Sequence, residues 1–474
     1  MKKNLLSLLL FATVLTSCGG GGGINISEDS NKADLKITFF NGGYGETWIR
    51  NLAKRFEDAN GVKVEIVKSE EGNCGAENFI KSGYNLSDIY IGEGILWKSL
   101  VQEGYLENLS DVYEAEVDTK AGKQKIKDFM DPNIVGNFYS QRTLSKPEYN
   151  PWAMPWSAKP NAMAYNEDVL FNMKHVSTLP VTDGIIGSDG KWCDVPKTMA
   201  DYEAYIEDVK YFDNNSEEKQ ALGLTQKYVP LGWCGGVNAD SVGFMVVSWW
   251  AELQGLNESN YPGEGSFYDF FNFGNTTASN VGQTFDFNVY KQTGLKEAYN
   301  KLADMLIDPV TREYKNTLTN PYNINLQQLQ QLFVAKKVQE KPVIAIASSY
   351  LENEVIKNKY IDSDQDGVND VNFKFMNIPK INADSEDLLY LNFSDSITVP
   401  AKAAHKDLAK KFLIFMSSEE EVCNFTKETN GGIRPFNCDV RTEATGNEYT
   451  AFANSLFDVY YNSKHVVEYP VNVK

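Results

Sequence analysis

The chain has 474 residues, too long for a single hydrophobic core, so two or three domains are expected. Hydrophobic residues make up 42% and charged residues 23%, which excludes a disordered chain and a polytopic membrane protein. Against 64 Asp and Glu stand only 45 Lys and Arg, and the net charge of -19 repels phosphate backbones, so nucleic acid is excluded as a partner.

The N-terminus carries Lys2 and Lys3, an apolar run from Leu5 to Leu15, and the small residues Thr16 and Ser17 before Cys18. This is the pattern of a secretory signal, because the run falls short of the roughly 20 apolar residues that span a bilayer. Leu15-Thr16-Ser17-Cys18 resembles the lipobox of bacterial lipoproteins. That resemblance implies a signal peptide over 1–17 and acylation of Cys18. The protein would then sit at the cell surface, anchored to the outer face of the cytoplasmic membrane. Five glycines from Gly19 and the polar residues after them make 18–33 a flexible tether. Cys74, Cys193, Cys234, Cys423 and Cys438 remain, an odd number, so at least one thiol is unpaired. Cys193 with Cys234 and Cys423 with Cys438 are the candidate bridges. There is no Cys-x-x-Cys, and His175, His405 and His465 are far apart, so no zinc site is expected.

Leu35 to Phe40 is a β-rich run halted by Asn41-Gly42-Gly43-Tyr44-Gly45. Glu46 to Ala59 places Trp48, Ile49, Leu52, Ala53 and Phe56 at helical spacing, Asn60-Gly61 stops it, and Val62 to Val67 alternates as the next strand. Strand, helix and strand in so short a span make a βαβ unit, and hence an α/β fold with a parallel sheet. Asp88 to Gly92 is a third strand, followed by a helix from Ile95 to Glu103. The loops Asn41–Gly45 and Gly92–Gly94 should therefore open on one crevice. Beyond Trp156 the pattern predicts a strand over Ala162–Tyr165 and helices over Thr198–Phe212, Ser241–Gly255, Leu295–Leu306 and Ile324–Lys337. A buried strand over Pro342–Ala347, a strand over Ile397–Val399 and helices over Lys406–Met416 and Ser418–Thr429 complete it.

Four stretches in this order resemble the family 1 extracellular solute-binding proteins of ABC transporters, the class of maltose-binding protein and its multiple-sugar relatives. They are ITFFNGGYGETWIRNLAKRFEDANGVKVEIV from Ile37, MPWSAKPNAMAYNED from Met154, ITVPAKAAHKDLAKKFLIFMSS from Ile397 and FTKETNGGIRPF from Phe425. The resemblance implies a two-lobed periplasmic-binding-protein type II fold with the ligand cleft between the lobes. Its three crossings would lie near Pro155-Trp156, Ser394 to Ile397 and Asn430 to Pro435. One lobe would comprise 34–154 plus 398–429, the other 157–393 plus 431–474. The function implied is non-enzymatic: a monomer that captures a carbohydrate, an oligosaccharide by preference, and delivers it to the permease subunits of an ABC importer. A receptor for a peptide or polyamine is the alternative. A carbohydrate-active hydrolase is disfavoured, because no acid pair or Ser/His/Asp set can be placed in one cleft.

Sugars present hydroxyls around apolar C–H faces, so a site needs planar rings plus groups that donate and accept hydrogen bonds. Asn41 and Glu46 flank the glycine turn, where backbone N–H groups could approach a ligand. Asp88 precedes the third strand, Trp156 stands at the first crossing, Tyr165 follows on the next strand, and Trp233 lies among glycines in a loop expected to expose its ring. Tyr350 occupies the place where relatives often stack a tryptophan on sugar, and Arg434 sits at the third crossing, free to hold a hydroxyl or pair with an acid. These eight residues are the expected ligand set. Separately, Asp362, Asp364, Asp366, Val368 and Asp370 occupy positions 1, 3, 5, 7 and 9 of an EF-hand-like loop with Gly367 at 6, and a structural calcium ion is expected there. Phe373 stands where the bidentate glutamate of a full EF-hand would be.

Overall fold

The computed structural model describes residues 33–143, 146–170, 195–214, 216–221, 223–235, 239–268, 291–362, 369–392, 395–443 and 449–468. Among these, fourteen strands follow in order: β1 (Leu35–Phe40), β2 (Val64–Ser69), β3 (Ile89–Glu93), β4 (Glu116–Thr119), β5 (Gly122–Lys125), β6 (Tyr139–Thr143), β7 (Lys146–Pro151), β8 (Lys159–Asn166), β9 (Lys227–Gly232), β10 (Glu340–Ser348), β11 (Phe373–Met376), β12 (Leu388–Asn392), β13 (Asp395–Thr398) and β14 (Lys464–Glu468).

They build two principal sheets. The first has the order β13-β3-β1-β2. In it β1 runs parallel to both β2 and β3, as the βαβ pattern requires, and β13 returns antiparallel on β3. Leu35, Ile37 and Phe39 of β1 are fully buried. The helix Thr47–Asn60 covers this sheet with the expected face of Trp48, Ile49, Leu52, Ala53 and Phe56. It ends on Gly61 in the left-handed region (φ 66). Arg55 on its outer side grips Glu421 through two nitrogens and reaches Glu428, which fastens the helix to the later helix Glu419–Glu428. The second sheet has the order β14-β12-β8-β10-β9, with β11 also on β8. β8 is antiparallel to β10, β11 and β12, while β9 runs parallel to β10. The hairpins β4–β5 and β6–β7, the strands β9, β11, β12 and β14, and the helix Ala451–Asn462 go beyond the elements legible in the sequence.

Two edges face each other where the chain passes between the sheets. One carries the carboxyl ends of β1, β2 and β3 and the start of β13. The other carries the start of β8 and the ends of β9, β10 and β12. The passing segments are bonded side by side: Met154 and Ile397 exchange backbone hydrogen bonds of 3.0 and 2.7 Å, and Ala158 N–H donates to Ile433 O at 2.7 Å.

Away from this junction, Asp208 on the helix Met199–Asn214 is buried, with 6% exposure. Burial, with the neighbouring Glu207 charge, pushes its carboxyl up to about 7 from the usual value near 3.8. A carboxyl that titrates higher in the folded than in the unfolded chain keeps its proton in the fold between about pH 4 and 7. Each rise in pH across that window removes stability, so the penalty is absent below it and complete above it. Asp208→Asn is expected to raise the unfolding free energy by roughly 2 kcal/mol at pH 8 and to leave it unchanged at pH 4. Equal effects at both pH values in denaturant titrations would contradict this account.

Candidate functional site

The turn after β1 is closed by Asn41, whose Oδ1 accepts from the N–H of Gly45. Gly42 and Gly43 have φ of 58 and 88, and both lie flat against the second lobe. A Cβ on Gly42 would stand 2.7 Å from Cη2 of Trp156, and one on Gly43 would stand 2.8 Å from Cβ of Tyr350. Side chains are thus excluded here on two counts, backbone conformation and space. The glycines admit protein rings, not the approach of a ligand to backbone N–H groups that the sequence suggested.

Between them Tyr44 reaches across the junction. Its hydroxyl meets Ser349 Oγ at 2.7 Å, and its ring stands edge-on to Trp156 and Tyr350, with centroids 6.0 and 6.3 Å apart. Burial holds its phenol protonated well beyond the ordinary range. Trp156 is stacked on Trp48, with centroids 5.6 Å apart and planes 7° from parallel, and its Nε1–H donates to Gly92 O. It has 0% exposure. The expectation of a ligand contact at the first crossing is corrected: Trp156 is the pillar of the inter-lobe core, because the helix bearing Trp48 and the glycine turn close on both its sides.

Directly beside this pillar lies a buried ion cluster. Lys159 Nζ is 2.9 Å from Glu93 Oε2 and 2.8 Å from Asp395 Oδ1, and Ser157 Oγ donates to Asp395 Oδ2 at 2.6 Å. Burial opposes the Lys159 charge, but the Asp395 and Glu93 carboxylates outweigh it and hold the ammonium protonated. Burial likewise lifts the Asp395 carboxyl to about 6, against the pull of Lys159.

A cavity of about 180 Å³ opens next to the cluster, and both edges supply its walls. Glu93 comes from the first lobe. The second lobe contributes Lys159, the amides Asn161, Gln330 and Asn392, the hydroxyls Ser241 and Ser348, and the rings Tyr350 and Phe244. Asn161 and Ser348 are bonded to each other, and Gln330 Nε2–H donates to Glu354. Gln330 Oε1 is buried without a hydrogen-bond partner among the described residues, a ready acceptor for a ligand donor. A larger hollow of about 640 Å³, walled by Lys210, Asp213, Arg312 and Glu313, adjoins the start of β9. It lies at the edge of the second sheet away from the junction and draws on that lobe alone, so the smaller cavity is the candidate site.

Of the eight expected residues, Tyr350 lines this cavity. Asn41 is occupied in its turn, and Glu46 pairs with Arg50 at 2.6 Å on the exposed start of its helix. Asp88 stands at the opposite end of β3 from Glu93, where it accepts from the N–H groups of Lys36 and His405. Tyr165 lies six residues along β8 from Lys159, about 20 Å away, opposite Lys374. Trp233 is capped by Tyr314 and Tyr322 and keeps 3% exposure, so its ring is buried despite the neighbouring glycines. Arg434 is buried over the Phe436 ring and donates to Met416 O, and desolvation lowers its guanidinium to about 9. It points into the first lobe, not into the cavity. Residues the sequence reading passed over do most of the lining. Lys159 and Asn161 carried a usable signal: polar residues inside an otherwise buried strand. Asp364, Asp366 and Val368 of the expected calcium loop lie outside the described residues, between Asp362 and Asp370. Cys18 also lies outside them.

Over residues 51–454 the sequence matches the family of bacterial extracellular solute-binding proteins. Among solved structures the chain is similar to an ABC transporter solute-binding protein from Thermotoga lettingae TMO bound with alpha-D-tagatose. That match has 12% identity and a TM-score of 0.56, and covers 92% of this chain and 89% of the other. A maltose-bound protein from T. maritima gives 13% identity and a TM-score of 0.55 over 91% and 89% of the two chains. A chitin oligosaccharide binding protein gives 12% and 0.55 over 90% and 85%. No curated protein sequence matches the chain. At such identities the likeness is one of fold. Among the described residues no helix is long and apolar enough to cross a membrane.

Lys159→Met keeps the volume but leaves Asp395 fully buried without its cation. The expected result is a loss of about 3–5 kcal/mol of stability, read from denaturant unfolding at neutral pH. A loss below about 1 kcal/mol would show that the cluster does not hold the junction together.

Proposed function

Since the chain belongs to the bacterial extracellular solute-binding proteins, a family of binders and not of enzymes, we propose that its inter-lobe cavity captures a carbohydrate. The observation that carries this reading is the composition of the cavity wall. Three amides and two hydroxyls can each donate and accept, and two rings offer flat apolar faces. A polyol with C–H faces needs that mixture; a fatty ligand would leave the amides unpaired, and an anion would find Lys159 already engaged by two carboxylates. The volume of about 180 Å³ suits one sugar ring, with further residues of an oligosaccharide leading outward. The fold shared with the tagatose-bound, maltose-bound and chitin oligosaccharide binding proteins supports the same reading. The bound sugar is handed to the permease subunits of an ABC importer, and Cys18 carries the lipid that keeps the receptor at the outer face of the membrane.

Two measurements test this. A panel of mono- and oligosaccharides is titrated against the protein by calorimetry and tryptophan fluorescence. Tyr350→Ala is expected to weaken the tightest binder by about 1.5–3 kcal/mol through lost ring contact, with melting temperature measured on the same samples to separate this from the ring's packing against Gly43 and Tyr44. A protein that binds no sugar and instead gives heat with a peptide or polyamine would overturn the carbohydrate reading. Independently, Cys18→Ser should release the protein into the soluble extracytoplasmic fraction, and its persistence with membranes would dismiss the lipid anchor.

A further inference from the structure

Among the described residues that line the inter-lobe cavity, Glu93 and Lys159 carry charge. The ammonium of Lys159 is already engaged: it lies 2.9 Å from Glu93 and 2.8 Å from Asp395, which stands behind it with 0% exposure. A third carboxyl, that of Glu354, accepts from Nε2 of the wall residue Gln330. Burial opposes its charge and raises its carboxyl above the ordinary range. Lys357, at the end of the same helix Leu351–Lys357, is exposed, so water screens its charge. The wall therefore holds an excess of negative charge even with Glu354 protonated, since two carboxylates face one ammonium.

Hydrogen bonding leans the same way. Gln330 is buried, its amide nitrogen is committed to Glu354, and its Oε1 has no partner among the described residues. That oxygen can only accept, so it calls for a donor on the ligand. A hydroxyl would satisfy the oxygen alone. A protonated amine satisfies it and offsets the surplus charge at once, with three donors and no acceptor. Resting on the carbohydrate reading of this site, we propose that the cavity selects sugars bearing a free, protonated amino group over neutral, N-acylated and acidic sugars, with Glu93 and Glu354 as the selecting residues and Gln330 Oε1 as the acceptor. An acidic sugar meets like charge here, and an N-acyl group leaves one neutral N–H where the ammonium had three charged ones. A simple polyamine matches the charge but brings no hydroxyls to Asn161, Ser241 and Ser348.

Calorimetric titration of the full chain at neutral pH and low salt tests this with matched sets built on glucose, galactose and mannose. Each set holds the hexose, its 2-amino derivative and its 2-acetamido derivative; glucuronate, galacturonate and spermidine are run beside them. In the set that binds, the 2-amino sugar is expected to bind roughly tenfold to a hundredfold tighter than its parent hexose. Glu354→Gln, which keeps the shape of the side chain, should shrink that ratio several-fold, as should Glu93→Gln, with melting temperatures taken on the same samples. Equal affinity for amino sugar and hexose, or tighter binding of a uronate, overturns the selection and leaves a sugar receptor standing. Heat with no sugar, or tighter binding of spermidine than of any sugar, overturns the carbohydrate reading and the selection together. A ratio that both variants leave intact dismisses the two carboxyls as its source.

Discussion

The position of the Lys159 ammonium constrains everything around the junction. With 4% of its side chain exposed, it must meet anions or be discharged. The anions come from separate parts of the chain: Glu93 from the end of β3 and Asp395 from the start of β13. Satisfying one charge thus fixes the edge of the second sheet against the edge of the first. The cavity beside it is a by-product of that registration, because the strand ends which bring the charges together also bring Asn161, Ser348 and Tyr350 to its rim.

The aromatic core serves the same end by different means. Ion pairs set position but leave planar faces to be covered, and the Trp48–Trp156 stack fills the gap between the helix of one lobe and the first passage to the other. Tyr44 then ties this core to Ser349. Rings and charges are adjacent, with Lys159 Nζ 5.9 Å from the centroid of Trp156 and 5.8 Å from that of Tyr350, so the ammonium gains from both faces as well as from its carboxylates.

Local elements were largely legible because their signals are local. The spacing of Trp48, Ile49, Leu52 and Phe56 marks a helix wherever it packs, and the quoted stretches led to the right family. The polar hairpins were not legible, since Glu116–Thr119 and Gly122–Lys125 carry little apolar alternation. The site was legible only in outline. Asp88 and Glu93 are separated by one strand's length, and that length is the difference between the remote edge and the cavity. Trp156 and Trp233 are expected from sequence as ligand contacts because their own neighbours are prolines and glycines, yet the rings that bury them, Trp48 and Tyr322, come from distant sequence. Lys159 and Glu93 meet across 66 positions, and Ser157 and Asp395 across 238. No window along the chain contains such pairs, so side-chain partnership escapes any reading by composition and period.

The close seat of Gly42 and Gly43 on Trp156 and Tyr350 bears on the energetics of the junction. Parting the lobes would lift the turn from both rings and wet about half of each face, at a cost of about 2–5 kcal/mol by apolar area. That quantity favours the arrangement in which the two lobes touch, and the apparent affinity of any ligand scales with the fraction of molecules in the form that binds it. The grip of one lobe on the other is therefore adjustable at a single turn: a looser glycine seat would make the lobes easier to part, a tighter one harder.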